Sequence, residues 1–531
     1  MTMLDNLEQH LRSVHPKEEG KLWSPVRDNN YARLHITPDC FGQPMTKSGV
    51  ENRAQASVDK LAVAMQMVIE SAISIVDITS LDPPRGPAGE KGVFYKAIVN
   101  GIKERAKRGS FTVRMLFGKP PQSGRDEVHK EFMDNLKRAL VGVKVKVYFG
   151  VFFSWSGTSV AIFNHSKIFA SDAAHAVVGG HNLYDTDYRQ YPPVHDVSVE
   201  VKGPAALDAR NYASFLWSFG IANQTSWNPI SMVSNKTSTY IVAWELDTTK
   251  ATWNPITSVP AEGYEDPFDD QMQSPGPEWH QCRILTVGRC GGFNKATFGS
   301  YNASDYMKEF LISNAQTSVK LAHQDLVAMN IMGGVMTRFP HSTCKDLGNA
   351  LYNNPNLKVY VVVTAPYGSG IMDVYYNVTN GPQSAADYIM YYARPTLGTG
   401  KLRGADDLHR VKLFNRLFVA PIHFTDAANE PTDTHYFWPN STTVVKAGGS
   451  LAVAGFPKSV GQHMKISIID DSIFVVGSDN HYPHPLAEIN YVMEGAFVNN
   501  AVLPDFWNKL WLYSGPHAVQ QWNASTTIAG E

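Results

Sequence analysis

The chain has 531 residues, 43% of them hydrophobic and 18% charged, with a formal net charge of −2 and a sequence pI near 6.8. The length exceeds what one small core needs, and the composition is that of a folded globular protein. The charge balance excludes the overall basic footprint of a dedicated nucleic-acid binder and leaves only a local basic groove open. No run of 18 apolar residues occurs, so no transmembrane helix is expected. The polar opening MTMLDNLEQHLRSVHPKEEG does not read as a secretory signal.

In chain order, an apolar-periodic helix is expected over Val58–Glu70, then an alternating strand over Ile73–Leu81. A helix Lys96–Lys107, a strand Phe111–Phe117, a helix His129–Leu140 and a strand Val143–Phe149 follow. The aromatic stretch Tyr148–Gly157 is expected to be half buried strand, with Trp155 in an apolar lip facing a lipid surface. Gln224–His280 is rich in Pro, Trp, Thr and Ser and reads as an irregular connection. The order then returns: helix Tyr306–Ala315, strand Val319–Leu326, helix Lys345–Tyr352, strand Leu357–Ala365, helix Asp406–Leu417 and strand Phe418–Phe424. Two insertions, Tyr367–Lys401 and Thr425–Gly449, are expected to build the rim of a site.

The expected architecture is therefore α/β. It has two similar lobes, each a mixed sheet covered by helices, related by pseudo-two-fold symmetry with the site between them. Residues 1–223 form the first lobe, 224–280 the connection and 281–531 the second lobe. The cysteines Cys40, Cys282, Cys290 and Cys344 form no CxxC pair and are expected as buried free thiols. Seven N-x-S/T sequons are a mild hint of a secretory route, although Asn164 falls in a buried-looking strand.

One motif occurs twice. His165, Lys167 and Asp172 fit HxKxxxxD over residues 165–172, and His463, Lys465 and Asp470 fit it over 463–470. Chance supplies at most ~0.15 such matches in a chain of this composition, so the pair marks a duplicated site. Asn182 and Asn480 each lie 17 residues after their histidine, and Asp196 and Glu488 each precede a glycine by seven residues. Residues two apart on a strand share a face, so each histidine projects with its lysine. A returning hairpin brings the asparagine nearby, with glycines 179, 180 and 477 allowing close approach to a ligand. Two imidazoles, two ammonium groups and two amides suit a phosphate diester. The lysines and amides supply the positive surroundings, so neither metal nor cofactor is called for.

These residues resemble the phospholipase D superfamily, and above all its secreted Streptomyces-type phospholipases D. HDVSVEVKGPAA after the first motif and LAEINYVME after the second extend the likeness. The resemblance implies that His165 attacks phosphorus to give a phosphohistidine and that His463 protonates the leaving alcohol. Lys167, Lys465, Asn182 and Asn480 then hold phosphate oxygens, and Asp196 and Glu488 fix the imidazole tautomers. Glu488 stands where the Streptomyces enzymes carry Asp. The spacing of Asp172 and Asp470 makes them structural ties at the hairpin turn. Candidate rim residues are Trp155, His323, whose strand runs toward the site, and Trp438 in the second insertion.

The implied substrate is a glycerophospholipid such as phosphatidylcholine, met at a membrane or micelle surface. It is cut to phosphatidic acid and head group, or given a new head group. A nuclease or other phosphodiesterase of the same superfamily is the alternative. The resemblance favours a secreted mature protein, with a cytoplasmic one left open. Two half-sites in one chain point to a monomer.

Overall fold

The structure is a computed structural model. It describes residues 1–86, 91–118, 126–156, 160–222, 241–260, 279–290, 301–330, 337–340, 342–364, 381–393, 415–426, 461–481 and 486–519. The first half supplies β1 (Trp23–Thr37), β2 (Ile75–Ser80), β3 (Phe111–Gly118), β4 (Val145–Ser156), β5 (Val160–Phe163), β6 (Ile168–Ser171), β7 (His175–Gly179), β8 (Val194–Lys202), β9 (Ile241–Asp247) and β10 (Thr252–Pro255). The second supplies β11 (His280–Arg289), β12 (Ser318–His323), β13 (Val327–Asn330), β14 (Thr337–Pro340), β15 (Lys358–Val363), β16 (Leu417–Pro421), β17 (Gly461–Gln462), β18 (Lys465–Ile469), β19 (Ile473–Gly477) and β20 (Glu488–Glu494).

Eighteen of these strands join one sheet. Its main run is β10-β9-β4-β3-β2-β6-β7-β8-β1-β11-β20-β19-β18-β12-β15-β16. The order is a palindrome about the antiparallel β1–β11 seam: β8 answers β20, β7 answers β19, β6 answers β18, and β2, β3, β4 answer β12, β15, β16. This is the duplication read from the motifs, built as one continuous sheet with two lobes.

Parallel neighbours need a crossover, and a helix supplies each one. Val93–Ala106 joins β2 to β3, and Asp126–Ala139 joins β3 to β4. In the second lobe Ser342–Asn353 lies between β12 and β15, and Gly381–Tyr392 between β15 and β16. The last helix corrects the sequence reading, which placed 367–401 as an insertion and the crossover helix over 406–417. Its segment is punctuated by glycines and prolines and hides the apolar face of Ala385, Ala386, Ile389 and Met390, all buried. Residues 406–414 lie outside the described residues.

The central strands β1 and β11 also escape the periodicity argument. Trp23–Thr37 carries Arg27, Asp28, Asn29, Asn30 and Arg33, because a seam strand buries its ladder without presenting a wholly apolar face. The connection 224–280 is not irregular throughout: β9 pairs with β4 and β10 with β9, extending the first-lobe edge. Helix Lys47–Ser71 begins at Thr46, whose hydroxyl accepts the Gly49 N–H, and it covers the first-lobe sheet with Val58, Leu61, Met65, Val68 and Ile69. All four cysteines are buried, and Cys40, Cys282 and Cys290 are free thiols. Cys282 and Cys290 stand at opposite ends of β11, about 25 Å apart at strand rise, far beyond disulfide reach. Among the described residues no helix is long and apolar enough to cross a membrane.

Candidate active site

Each motif enters the sheet through an anchored elbow. Before β6, the Asn164 amide donates to the carbonyls of Ser80 and Leu116, and its oxygen accepts from the Ser166 N–H and hydroxyl. That sequon is fully buried and committed to the fold. The His165 N–H then donates to the Ala487 carbonyl at 2.8 Å, and the His463 N–H to the His195 carbonyl at 2.8 Å. Each histidine backbone is thus tied to the residue just before a carboxylate of the opposite lobe.

The side chains repeat that exchange. His165 Nδ1 lies 2.8 Å from Glu488 Oε1, and His463 Nδ1 lies 2.7 Å from Asp196 Oδ2. With Nδ1 held by a carboxylate, each Nε2 is the nitrogen free for chemistry. The two rings face each other with centroids 6.4 Å apart and planes at 73°. Lys167 Nζ donates to the His165 carbonyl at 2.6 Å; Lys465 Nζ donates to the His463 carbonyl and also sits 2.7 Å from His463 Nδ1. That nitrogen can serve only one partner at a time, Asp196 as donor or Lys465 as acceptor.

Asn182 and Asn480 are both buried. The Asn480 side chain is wholly buried, and neither its oxygen nor its nitrogen has a hydrogen-bond partner among the described residues; Asn182 Oδ1 is likewise alone. Unsatisfied buried amide atoms are costly and rare. The arrangement can hold an anion with several oxygens.

Glycines 180 and 477 make room for protein neighbours. A Cβ on Gly180 would meet Asp196 Oδ1 at 2.0 Å, and one on Gly477 would meet the Ile489 carbonyl at 2.2 Å. The close approach that the sequence reading reserved for a ligand is taken here by the carboxylate strands. Asp172 accepts from the N–H groups of Ile73, Ser74 and Ile75, and Asp470 from those of Gln316, Thr317 and Ser318. Each ties its hairpin to the strand entry beside it.

Burial, reinforced by Lys167 and Lys465, drives His165 well below the ordinary imidazole range. Burial and then Lys465 lower His463 to about 4. Burial lowers Lys465 to about 8 against the pull of Asp196, and burial with Lys465 lowers Lys167 well below its usual value. Asp196 is pushed up by burial, yet Lys465 and His463 outweigh this and hold it low. Burial raises Glu488 to about 8, with Arg289 opposing.

His323 is buried on β12 directly opposite Lys465, its Nε2 3.4 Å from Ser467 Oγ and its ring tilted against His481 with centroids 3.9 Å apart. Trp155 sits on β4 opposite Ala161, and Trp438 lies outside the described residues. Sequence reasoning missed the partners behind the carboxylates. The Tyr188 hydroxyl donates to Asp196 Oδ2 at 2.9 Å. Arg289 makes a two-pronged contact with Glu488 Oε2, its Nε at 2.7 Å. The only trace of Arg289's surroundings in the sequence is the departure of GSDN from GGHN, which puts Asp479 where the first lobe has His181.

No family model matches the chain. It is 26% identical to the phospholipase D of Streptomyces antibioticus over 533 aligned residues, spanning 96% of this chain and 87% of that protein. Its fold is similar to the crystal structure of phosphatidylserine synthase from Haemophilus influenzae Rd KW20, at 11% identity and a TM-score of 0.50, over 99% of this chain and 93% of that one.

Proposed function

We propose that this chain, a phospholipase D superfamily protein by its fold, its paired motifs and its sequence, is a phosphoric diester hydrolase that cleaves glycerophospholipids such as phosphatidylcholine. The observation that carries the reading is the pair of crossed histidine–carboxylate contacts, each with a lysine of its motif beside the histidine. The diester phosphate binds between Lys167 and Lys465, with Asn182 and Asn480 donating to its oxygens. Its negative charge offsets the cationic repulsion that depresses His463, so the imidazole gains the proton a general acid needs.

His165 Nε2 attacks phosphorus as the bond to the head-group alcohol breaks, and His463 Nε2 gives that oxygen its proton. A phosphatidyl-histidine remains. Water, or a second alcohol, passes a proton to His463 and displaces His165, releasing phosphatidic acid or a lipid with a new head group. Asp196 and Glu488 hold the Nδ1–H groups throughout. The two half-sites belong to lobes 1–223 and 281–531 of one chain, so a monomer suffices. Contact with the lipid surface is peripheral.

Mass spectrometry of phosphatidylcholine vesicles incubated with the protein and ethanol tests the reading. Phosphatidic acid, choline and phosphatidylethanol together support it. Turnover of bis-p-nitrophenyl phosphate with no lipid product would keep the chemistry and transfer the substrate to nucleic acid or small diesters.

A further inference from the structure

The palindromic sheet makes the two half-sites comparable position by position, and one pair of positions breaks the symmetry. Asp196 on β8 stands opposite Thr37 on β1; Glu488 on β20 stands opposite Arg289 on β11. In the first lobe the Thr37 hydroxyl lies 2.6 Å from His181 Nε2. Burial lowers His181 to about 3, so this pair is neutral. In the second lobe the same two positions hold Arg289 and Asp479, 3.1 Å apart and both charged. Asp196 therefore receives a neutral phenol from Tyr188, whereas Glu488 receives a buried guanidinium.

We propose that Arg289 is a positioning residue that opposes the protonation of Glu488, so that the His165–Glu488 pair sheds its extra proton at a lower pH than it otherwise would and His165 Nε2 is freed as the nucleophile. His463, whose Asp196 faces no arginine, is left as the proton carrier. The inference rests on the phosphodiesterase reading for its meaning, but its charge logic stands on the geometry.

Other charges also face the pair. His165 also faces Lys167 on its own segment, Lys465 and His463 across the cleft, all disfavouring a proton on it. Behind Glu488 stand Asp479 and, on helix Ala303–Ser313, Asp305 and Lys308; the Tyr212 phenol also faces it. Lys308 is already shared between Asp305 at 2.6 Å and Asp479 at 3.0 Å. Remove Arg289, and the buried Glu488 and Asp479, with the part-exposed Asp305, face one committed lysine. The extra proton the pair then takes up either makes His165 an imidazolium or sits on Glu488, which donates it to Nδ1 and forces the tautomer with Nε2 protonated. Both forms lack a nucleophile.

The test uses Arg289→Gln and Arg289→Lys in the full chain, with two readouts. One is the pH profile of kcat/KM on bis-p-nitrophenyl phosphate. The other is the NMR titration of His165 in protein labelled with 13C-histidine, its signal identified by its loss in His165→Ala. In Arg289→Gln the acid limb and the His165 titration should both rise by about one pH unit or more. Arg289→Lys, which keeps the charge, should restore most of the difference. Should Arg289→Gln fail to fold, Arg289→Gln/Asp305→Asn, which keeps the cluster's net charge, should show a smaller rise in the same direction, because the guanidinium that contacts Glu488 is still gone. A limb and a titration that stay in place once the guanidinium is gone would overturn the assignment. Wild-type protein that turns over no phosphodiester, while its His165 titration still moves with Arg289, would overturn the proposed function and leave this assignment standing.

Discussion

Glu488 Oε1 lies 2.8 Å from His165 Nδ1 across 323 residues of chain, while Asp196 Oδ2 lies 2.7 Å from His463 Nδ1 in the reverse direction. Neither lobe holds both members of either histidine–carboxylate pair. A carboxylate change in one lobe must therefore appear as a histidine defect in the other.

Replacing either histidine by alanine should abolish turnover with the fold intact, since each ring hangs on a backbone tied by its own N–H. Glu488→Gln should lower kcat by roughly 10²–10⁴-fold, as loss of an orienting carboxylate does in a histidine-based site. It should do so by slowing the step that forms the phosphohistidine. Rapid-quench trapping of labelled enzyme distinguishes the cases: Asp196→Asn should instead leave the intermediate accumulating. Unchanged trapping in both variants would sink the crossed assignment.

Asn480 is kept at a cost to stability. Asn480→Leu removes a buried amide that has no partner among the described residues, and should leave the chain as stable or up to about 1 kcal/mol more so. The same change should cost on the order of 10²-fold in kcat, the scale for one lost oxyanion donor. Denaturant midpoints and kinetics on the same samples check both halves. A variant that is destabilised yet fully active would make the amide structural.

Lys465 should set the alkaline limit. Burial has lowered it to about 8, so the free protein loses this cation as pH rises through 8, and kcat/KM should fall there. Lys465→Arg should carry the limb beyond pH 10 with a reduced kcat, because the guanidinium stays charged but sits differently. A limb fixed near 8 in that variant would mean that another group titrates.

Far from the site, Asp208 is buried and pushed up to about 6, with Arg27 opposing from 3.6 Å. Its folded-state value is above its unfolded one, so the folded chain binds this proton more tightly. The stability this gives is present at low pH and is lost as pH rises through 6. Asp208→Asn should raise stability by about 1–3 kcal/mol at pH 8 and by little at pH 4. Urea midpoints at the two pH values give the comparison; an equal effect at both would refute the titration.

Turnover should survive EDTA. Among the described residues no three His, Cys, Asp or Glu side chains are set to hold an ion, and Lys167 and Lys465 stand beside the paired histidines. Loss of activity that returns with added metal would show an ion bound elsewhere.

Much of this was legible in the sequence, and the rest was hidden for definite reasons. The repeated HxKxxxxD and the asparagines 17 residues on name the side chains that the structure gathers. Spacing could not say which carboxylate serves which histidine, because the crossing is a property of the β1–β11 seam. That seam was itself invisible: Trp23–Thr37 is too polar to alternate as an ordinary half-buried strand. Arg289 looked like any arginine after an apolar run, and only its register opposite Glu488 gives it a task. The helix Gly381–Tyr392 was lost among Gly, Pro and Tyr, where local punctuation outweighed a short apolar face.

The seam also leaves neither half with a finished border. Severed within 224–280, each fragment would bare a long row of unsatisfied backbone donors and acceptors, β1 in one piece and β11 in the other. Such edges recruit strands. Separately expressed halves should therefore complement one another when mixed, and either half alone should pair with its own kind or precipitate.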